Sequence, residues 1–480
     1  MAANRGPVSF RRDDDGQLSV SRGGGGLVSG LYSVASQQDL LWVCAAMSDG
    51  DREAARAAPG GMLSLDGNPY GKLGGSAVRM LDIPAVTFSR AYNTVANSVL
   101  WFVHHMLYDT PNQPQFGMTF RRDWEAYREY NMAFAEALAS GPDTAGSARA
   151  VVQDYHLTLV PRMLAELRPG LPIAHFSHTP WAPVDYFRLL PDQVAAEVLD
   201  GILGADHAGF LSPRWADAFV DCCEHVLGAG VDAGRRQVSY RGHVTSVGVH
   251  SLGVDAAELV SRGAQDDVET RMTALREVIG ERKLIVRVDR TELSKNIVRG
   301  LAAYRELLLE HPEWQGNVMM LALAYPSRDD LAEYRAYAAS VQRLASAIND
   351  EFGRPDWKPI LLSDHDDYPR SLAGYRLADV LLVNPIRDGM NLVAKEGPIL
   401  SDRSSALVLS REAGAADELG QDALLVNPFD VSATAAALHH GLMMGDEERI
   451  RRCRSLAAAG GAVPPAAWLA SQLAALDGLA

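Results

Sequence analysis

The stretch Asn384-Pro385-Ile386-Arg387-Asp388-Gly389-Met390-Asn391-Leu392-Val393-Ala394-Lys395-Glu396 sets two carboxylates, a glycine turn and two cations, Arg387 and Lys395, around a helix start. That is the build of a sugar-nucleotide site. First-turn N–H groups have no intrahelical partner and the helix N-terminus is partially positive, so an anionic or polyhydroxylated ligand is favoured there. Asp388 and Glu396 lie eight positions apart, at the mouth of the turn and about two helical turns further on, so they can hold two parts of one extended ligand. The competing reading is an ordinary βα loop with solvated charges, which is common at strand ends.

Other segments carry similar chemistry. Arg290 and Lys295, in Val288-Asp289-Arg290-Thr291-Glu292-Leu293-Ser294-Lys295-Asn296, follow an apolar strand and precede a helix expected over about Ile297 to Leu309. Two cations beside a helix start suit a diphosphate. A loop salt-bridged through Asp289 and Glu292 fits as well. The same duality applies to Arg328, in Tyr325-Pro326-Ser327-Arg328. Gln153-Asp154-Tyr155-His156 and Ser177-His178-Thr179-Pro180-Trp181 place an Asp and a His after strands, suited to base chemistry, metal ligation or sugar hydrogen bonding. A lone His is more often structural, and no third ligand is spaced for zinc. Tyr92 and Trp101 flank a helical stretch containing Asn97, as core aromatics or as a sugar platform. Gly23-Gly24-Gly25-Gly26-Leu27 precedes the helical pattern Val28 to Val34 and lets backbone N–H groups turn toward a phosphate; it lacks the spacing of a dinucleotide fingerprint or a Walker loop.

Positioning these residues takes alternating strands and helices. The runs Ala150 to Gln153, Ile173 to Phe176, Ala208 to Leu211, Lys283 to Val288, Val318 to Ala322, Val380 to Val383 and Ala406 to Leu409 alternate with helical stretches such as Val160 to Leu167. That pattern predicts α/β layering with parallel strands, at least five in each half. With 480 residues, 47% of them hydrophobic, the chain exceeds what one core usually supports. Two domains follow, with a hinge near His250 to Asp255, a cleft between two sheets, and an apolar helix after Pro464-Pro465 that packs back on one of them. The balance of 45 basic and 60 acidic residues gives −15, which argues against nucleic-acid or anionic-membrane partners. No apolar run reaches the roughly eighteen residues of a membrane span. Cys44, Cys222, Cys223 and Cys453 show no metal spacing and are expected to be reduced, buried thiols of a cytosolic protein.

Taken together these motifs resemble trehalose-6-phosphate synthases, the family 20 retaining glycosyltransferases of the two-Rossmann GT-B architecture. The resemblance runs from Asn4-Arg5 through Leu41-Trp42, Asp154-Tyr155-His156-Leu157 and Arg387 to Glu396, ending near Val426-Asn427-Pro428-Phe429-Asp430. It implies residues 1–250 as the acceptor domain, with the helix within 456–480 packing on it, and 251–455 as the nucleotide-sugar domain. It implies that Arg5, Tyr92, Trp101, Asp154 and Arg328 surround glucose 6-phosphate, with Arg5 and Arg328 at its phosphate. On the donor side it implies Gly25, Gly26, Arg290 and Lys295 at the diphosphate and His178 and Asp388 at the donor glucose. The main chain of Gly389, Met390, Asn391, Leu392 and Val393 would lie beside the diphosphate, and Glu396 at the ribose. Arg290, Lys295, Asp388 and His178 are then the catalytic set, without metal or cofactor, and a homo-oligomer is left open.

Three departures from the family form stand out. Arg290 to Asn296 lacks the usual Leu-Asp-Tyr centre and closing Gly; Gln153 and Trp181 replace a usual His and Phe; and the chain begins at Met1-Ala2-Ala3-Asn4, where the family has a full first strand. Either that strand is short or the start lies late. The substitutions look like an actinobacterial branch that takes GDP-glucose in preference to UDP-glucose. They also drift toward pseudo-glycosyltransferases that join a nucleotide-linked cyclitol to a phosphorylated amino-cyclitol. A non-catalytic homologue is a further alternative, although Arg290, Lys295 and Asp388 all stand. A sugar-phosphate phosphatase would need an Asp-x-Asp nucleophile after a strand, and none is suitably placed.

Overall fold

The computed structural model describes residues 1–13, 15–22, 40–63, 77–141, 148–328 and 331–478. Two compact units are present, Met1–Ser251 with Pro465–Ala480, and Leu252–Pro464.

The sheet of the second unit consists of six parallel strands: Lys283–Arg290, Val318–Tyr325, Ile360–Ser363, Val380–Val383, Ala406–Ser410 and Leu424–Val426. Numbered in that order they lie 3-2-1-4-5-6 across the sheet, the doubly wound arrangement whose ligand crevice sits where the order reverses. The strands are runs of apolar, largely β-branched or Leu residues because helices cover both faces; Val380–Val383 is buried throughout. The helix Val393–Leu400 packs closely on that strand. A Cβ at Gly397 would stand 2.3 Å from Leu381 Cδ2, so any larger residue there would have to displace the Leu381 side chain.

In the first unit, residues 1–4 serve as a short central strand. Ala2 bridges Val43 on one side and Val152 on the other, both in parallel, through Val43 N–H to Met1 O and Gln153 N–H to Ala2 O at 2.9 Å each. Ala150–Gln153, Ile173–Ser177, His207–Phe210 and His243–Val249 continue the parallel sheet, and Gln237–Tyr240 with Gly230–Asp232 close it antiparallel. Leu41–Ala45 pairs with Ala77–Leu81 on the far side. Its order also reverses at the first strand, so Arg5, Asp154 and His178 leave the carboxyl ends of the strands at or beside the reversal.

The terminal helix begins at Pro465 and ends at Asp477, after the Pro464-Pro465 break, and residues 456–460 complete the preceding helix Asp446–Gly460. Gly460-Gly461 stops that helix and Pro464-Pro465 starts the next. Trp468 brings the terminal helix onto the first unit's sheet: its ring meets Phe176 edge-on at 4.9 Å. No helix among the described residues is long and apolar enough to cross a membrane, and all four cysteines are buried and unpaired.

Candidate functional site

In the second unit the reversal point lies between Lys283–Arg290 and Val380–Val383, and the turns after these strands carry most of the charged candidates. Arg287, only 1% exposed on its side chain, braces the first turn. Its guanidinium donates to Asp289 Oδ2 at 2.7 and 3.1 Å, to Lys295 O at 3.1 Å and to Asn384 Oδ1 at 3.3 Å. Asn296 ends the turn at φ 57°, a left-handed position that Asn tolerates in place of Gly, and its amide donates to Asn384 O and Pro428 O. Lys295 is thereby fixed against the second strand end, where its Nζ donates to Asp388 Oδ2 at 2.6 Å. Burial opposes the Lys295 charge, but Asp388, Glu292 and Asp289 outweigh it and raise its pKa above the ordinary value. Asn391, at φ 84°, donates to the same Asp388 oxygen at 3.1 Å.

Glu292, read from sequence only as a loop ion-pair partner, is the organising anion of this turn. It is fully buried, accepts from Ser327 Oγ at 3.0 Å and lies 3.4 Å from Arg290 Nε. Burial alone would raise its pKa, yet Arg290, Arg328 and Lys295 outweigh that and hold it at about 2. Arg328, at φ 53°, donates to Tyr334 OH at 2.5 Å. A carboxylate midway between Arg290 and Lys295 was the available signal; its burial is a tertiary fact.

Two features around Asp388 depart from expectation. Lys395 is not one of the cations at the ligand mouth: it is fully buried, with Nζ on Leu252 O at 2.9 Å and on Glu418 at 2.8 and 2.9 Å. On a 3.6-residue helix it falls on the inward face, whereas Glu396 keeps partial exposure. The helix also starts only at Val393, leaving Gly389 to Leu392 as irregular main chain. That segment is tight: a Cβ on Gly414 would reach 1.9 Å from Gly389 O. Glu396 accepts from Tyr375 OH at 3.4 Å, and burial pushes its carboxyl up to about 7.

In the first unit the candidates form one connected chain. Arg5 Nη2 donates to Tyr92 OH at 3.4 Å; the Tyr92 ring stacks on His156 at 5.5 Å; His156 Nδ1 lies 3.9 Å from Asp154 Oδ2; and Asp154 Oδ1 accepts from the His178 main-chain N–H at 3.1 Å. Tyr92 belongs to a π-helical segment, Ser89–Leu100, a geometry that recurs at functional sites. Trp101 stands further back, mostly buried and stacked on His105 at 3.8 Å. It reaches the chain through Tyr155, whose ring lies 3.9 Å from that of His156. His178 is neutral over any ordinary pH, since burial and then the neighbouring His175 lower its pKa to about 3. Gly25 and Gly26 lie outside the described residues.

Among the described residues one group has the residue types of a metal site: His311, Glu313 and His439 offer ligand atoms within 4.8 Å of one another. The two rings stack at 3.6 Å and 4°, so their lone pairs run side by side instead of converging. Trp314 Nε1–H also donates to His439 Nδ1 at 3.0 Å, which places the remaining proton on Nε2 and leaves no spare lone pair.

Two doubly wound sheets, each with cations, carboxylates and hydrogen-bonding side chains at the carboxyl edge where strand order reverses, define a glycosyltransferase of the GT-B class. The chain belongs to glycosyltransferase family 20, whose pattern matches residues 1–477. It is 35% identical over 470 residues to a trehalose-6-phosphate synthase of Mycobacterium sp. (strain JLS), covering 95% of this chain and 91% of that protein. To the probable alpha,alpha-trehalose-phosphate synthase [UDP-forming] 2 of Arabidopsis thaliana it is 33% identical, covering 95% of this chain but 54% of the longer plant protein. A crystal structure of a UDP-forming alpha,alpha-trehalose-phosphate synthase from Burkholderia vietnamiensis superposes with a TM-score of 0.83 at 28% identity, covering 94% of this chain and 98% of that one.

Proposed function

We propose that this chain is an α,α-trehalose-6-phosphate synthase, transferring glucose with retention from a nucleoside-diphosphate glucose to glucose 6-phosphate. The observation that carries this reading is the Lys295–Asp388 pair with Arg290 beside it, at the reversal point of the second sheet. As the glycosidic bond to the leaving diphosphate breaks, negative charge grows on the phosphate oxygens. Fixed cations there stabilise the transition state more than the ground state. Asp388 would then accept hydrogen bonds from the donor glucose, Glu396 would hold the ribose and the Gly389 to Val393 main chain would border the diphosphate. A neutral His178 suits a hydrogen-bonding role toward the sugar and not proton transfer. Arg5, Tyr92, Trp101, Asp154 and Arg328 would receive the acceptor, the two arginines at its phosphate.

The donor base has two supports that point apart. The Arabidopsis and Burkholderia relatives are named as UDP-forming, which favours UDP-glucose. The departures at Arg290 to Asn296 and at Gln153 favour GDP-glucose. Initial rates with GDP-, UDP- and ADP-glucose against glucose 6-phosphate decide between them and test the reading itself. Turnover with none of the three donors would sink it, and turnover only with an amino-cyclitol phosphate would replace it by the pseudo-glycosyltransferase.

A further inference from the structure

Gln153 is fully buried at the end of Ala150–Gln153, and its Oε1 faces His178 Nε2 at 2.8 Å. A carbonyl oxygen only accepts, so this contact requires the imidazole proton on Nε2. The other ring nitrogen, Nδ1, has no partner among the described residues, and His178 keeps part of its surface exposed. The ring is held from behind by Phe176, with centroids 4.7 Å apart, and by Trp468 of the terminal helix at 5.4 Å. Its main chain is tied to Asp154 at 3.1 Å. Meanwhile the Gln153 amide nitrogen is buried with no hydrogen-bond partner among the described residues. An orphaned buried donor is costly unless something else supplies an acceptor.

We propose that Gln153 is a positioning residue that locks His178 in the Nε2–H tautomer, so that His178 presents Nδ1 as a bare acceptor to a sugar hydroxyl. The proposal rests on the synthase reading for the identity of the sugar, but the tautomer does not depend on it. The charged or titratable groups facing His178 are Asp154 on the turn after Gln153 and His175, three positions earlier on the strand that leads into it. Asp154 already engages the His178 main chain, and His175 disfavours a second positive charge. His178 therefore stays neutral, and its acceptor face persists across the working pH range.

Side-chain ¹⁵N spectra of the histidine-labelled full chain, with the His178 signals assigned by their loss in His178→Asn, read the tautomer directly. The expected spectrum has a protonated Nε2 and an unprotonated Nδ1 from pH 6 to 8.5; a protonated Nδ1, or an even mixture, overturns the proposal. Gln153→Met, nearly equal in volume, should abolish the preference and lower kcat by roughly tenfold, with the glucose 6-phosphate KM little changed. Unchanged tautomer and unchanged kcat overturn it. Gln153→Glu keeps the acceptor while adding a charge that favours the imidazolium. It should retain Nε2–H and give the rate profile a new inflection in the neutral range; a flat profile with the opposite tautomer overturns the proposal. If no donor and acceptor pair turns over in the wild type, the synthase reading fails while the spectra still decide the tautomer.

Discussion

Lys295 reaches Asp388 at 2.6 Å and so joins the ends of the two strands between which the order of the second sheet reverses. The same ammonium also feels Glu292 and Asp289. Carboxylates hold it charged and in place, which would spare it reorganisation on binding the proposed diphosphate. Lys295→Ala should therefore lower kcat by about 10²-fold or more, as loss of one preorganised donor typically does, while the glucose 6-phosphate KM changes little. Near-normal turnover in this variant would remove Lys295 from the catalytic set.

Glu292 gives a second handle on the same turn. Its pKa, held at about 2 against an ordinary 4.5, means that the folded state gains from its charge at pH values above about 4.5 and loses that gain as pH falls toward 2. Glu292→Gln should cost about 1–3 kcal/mol at pH 7, discounted because Arg290 is half exposed. The denaturation midpoints of variant and wild type should converge as pH is lowered from 5 toward 2. Parallel midpoints across that range would show that the carboxylate contributes through shape and not charge.

Glu396 should behave in the opposite sense. Its carboxyl is raised from 4.5 to about 7 by burial, so between those values the folded state keeps a proton that the unfolded chain releases. Stability is then present below about pH 4.5 and declines as pH rises to 7. Ligand-free Glu396→Gln should match the wild type at pH 4.5 and exceed it by about 1–3 kcal/mol at pH 8. A variant less stable than wild type at pH 8 would mean that the Tyr375 contact, not desolvation, governs this position.

How much of this was legible in the sequence differs by element. The strands of both sheets that precede charged turns were readable because buried parallel strands are continuous apolar runs, as in Val380-Leu381-Leu382-Val383, and the loops after them hold the charge. Ile360–Ser363 and Leu424–Val426 escaped notice: both are short edge strands of their sheet and only partly buried. Arg290, Lys295 and Asp388 were found by type and place. Lys395, counted among the cations around the helix start, is buried on the inward face, because one residue on a helix turns a side chain by about 100° from its neighbour Glu396. The Gln153–His178 contact and the Trp468 ring behind it were out of reach. Gln153 and His178 sit 25 positions apart at the ends of neighbouring strands, and the Trp468 ring arrives from the far end of the chain, on a terminal helix whose docking face no local pattern reveals.

Charge compensation at Lys295 and Arg290 also bears on metal dependence. The second unit offers fixed cations to meet a diphosphate, and in the stacked pair His311 and His439 the His439 ring is committed to Trp314. Activity should survive exhaustive chelation unchanged. Complete inhibition that an added divalent ion reverses would show that the cations on these turns do not suffice.

The acceptor is the remaining test, and it turns on charge. Arg5 is held by Tyr92 at 3.4 Å and Arg328 by Tyr334 at 2.5 Å, so each guanidinium is steadied by a phenol that adds no compensating charge. Glu292 offsets Arg328 in part, and Arg290 and Lys295 share that offset. In the proposed acceptor role each arginine that reads the phosphate would contribute roughly 1.5–3 kcal/mol per charged hydrogen bond. Glucose 6-phosphate should then outperform glucose by about 3–6 kcal/mol, on the order of 10²- to 10⁴-fold in kcat/KM. Arg328→Ala should raise the glucose 6-phosphate KM sharply and leave nucleotide-sugar affinity, measured by calorimetry, nearly unchanged. If free glucose or an unphosphorylated cyclitol is used as efficiently as glucose 6-phosphate, neither arginine reads a phosphate, and the acceptor half of the proposed function falls with them.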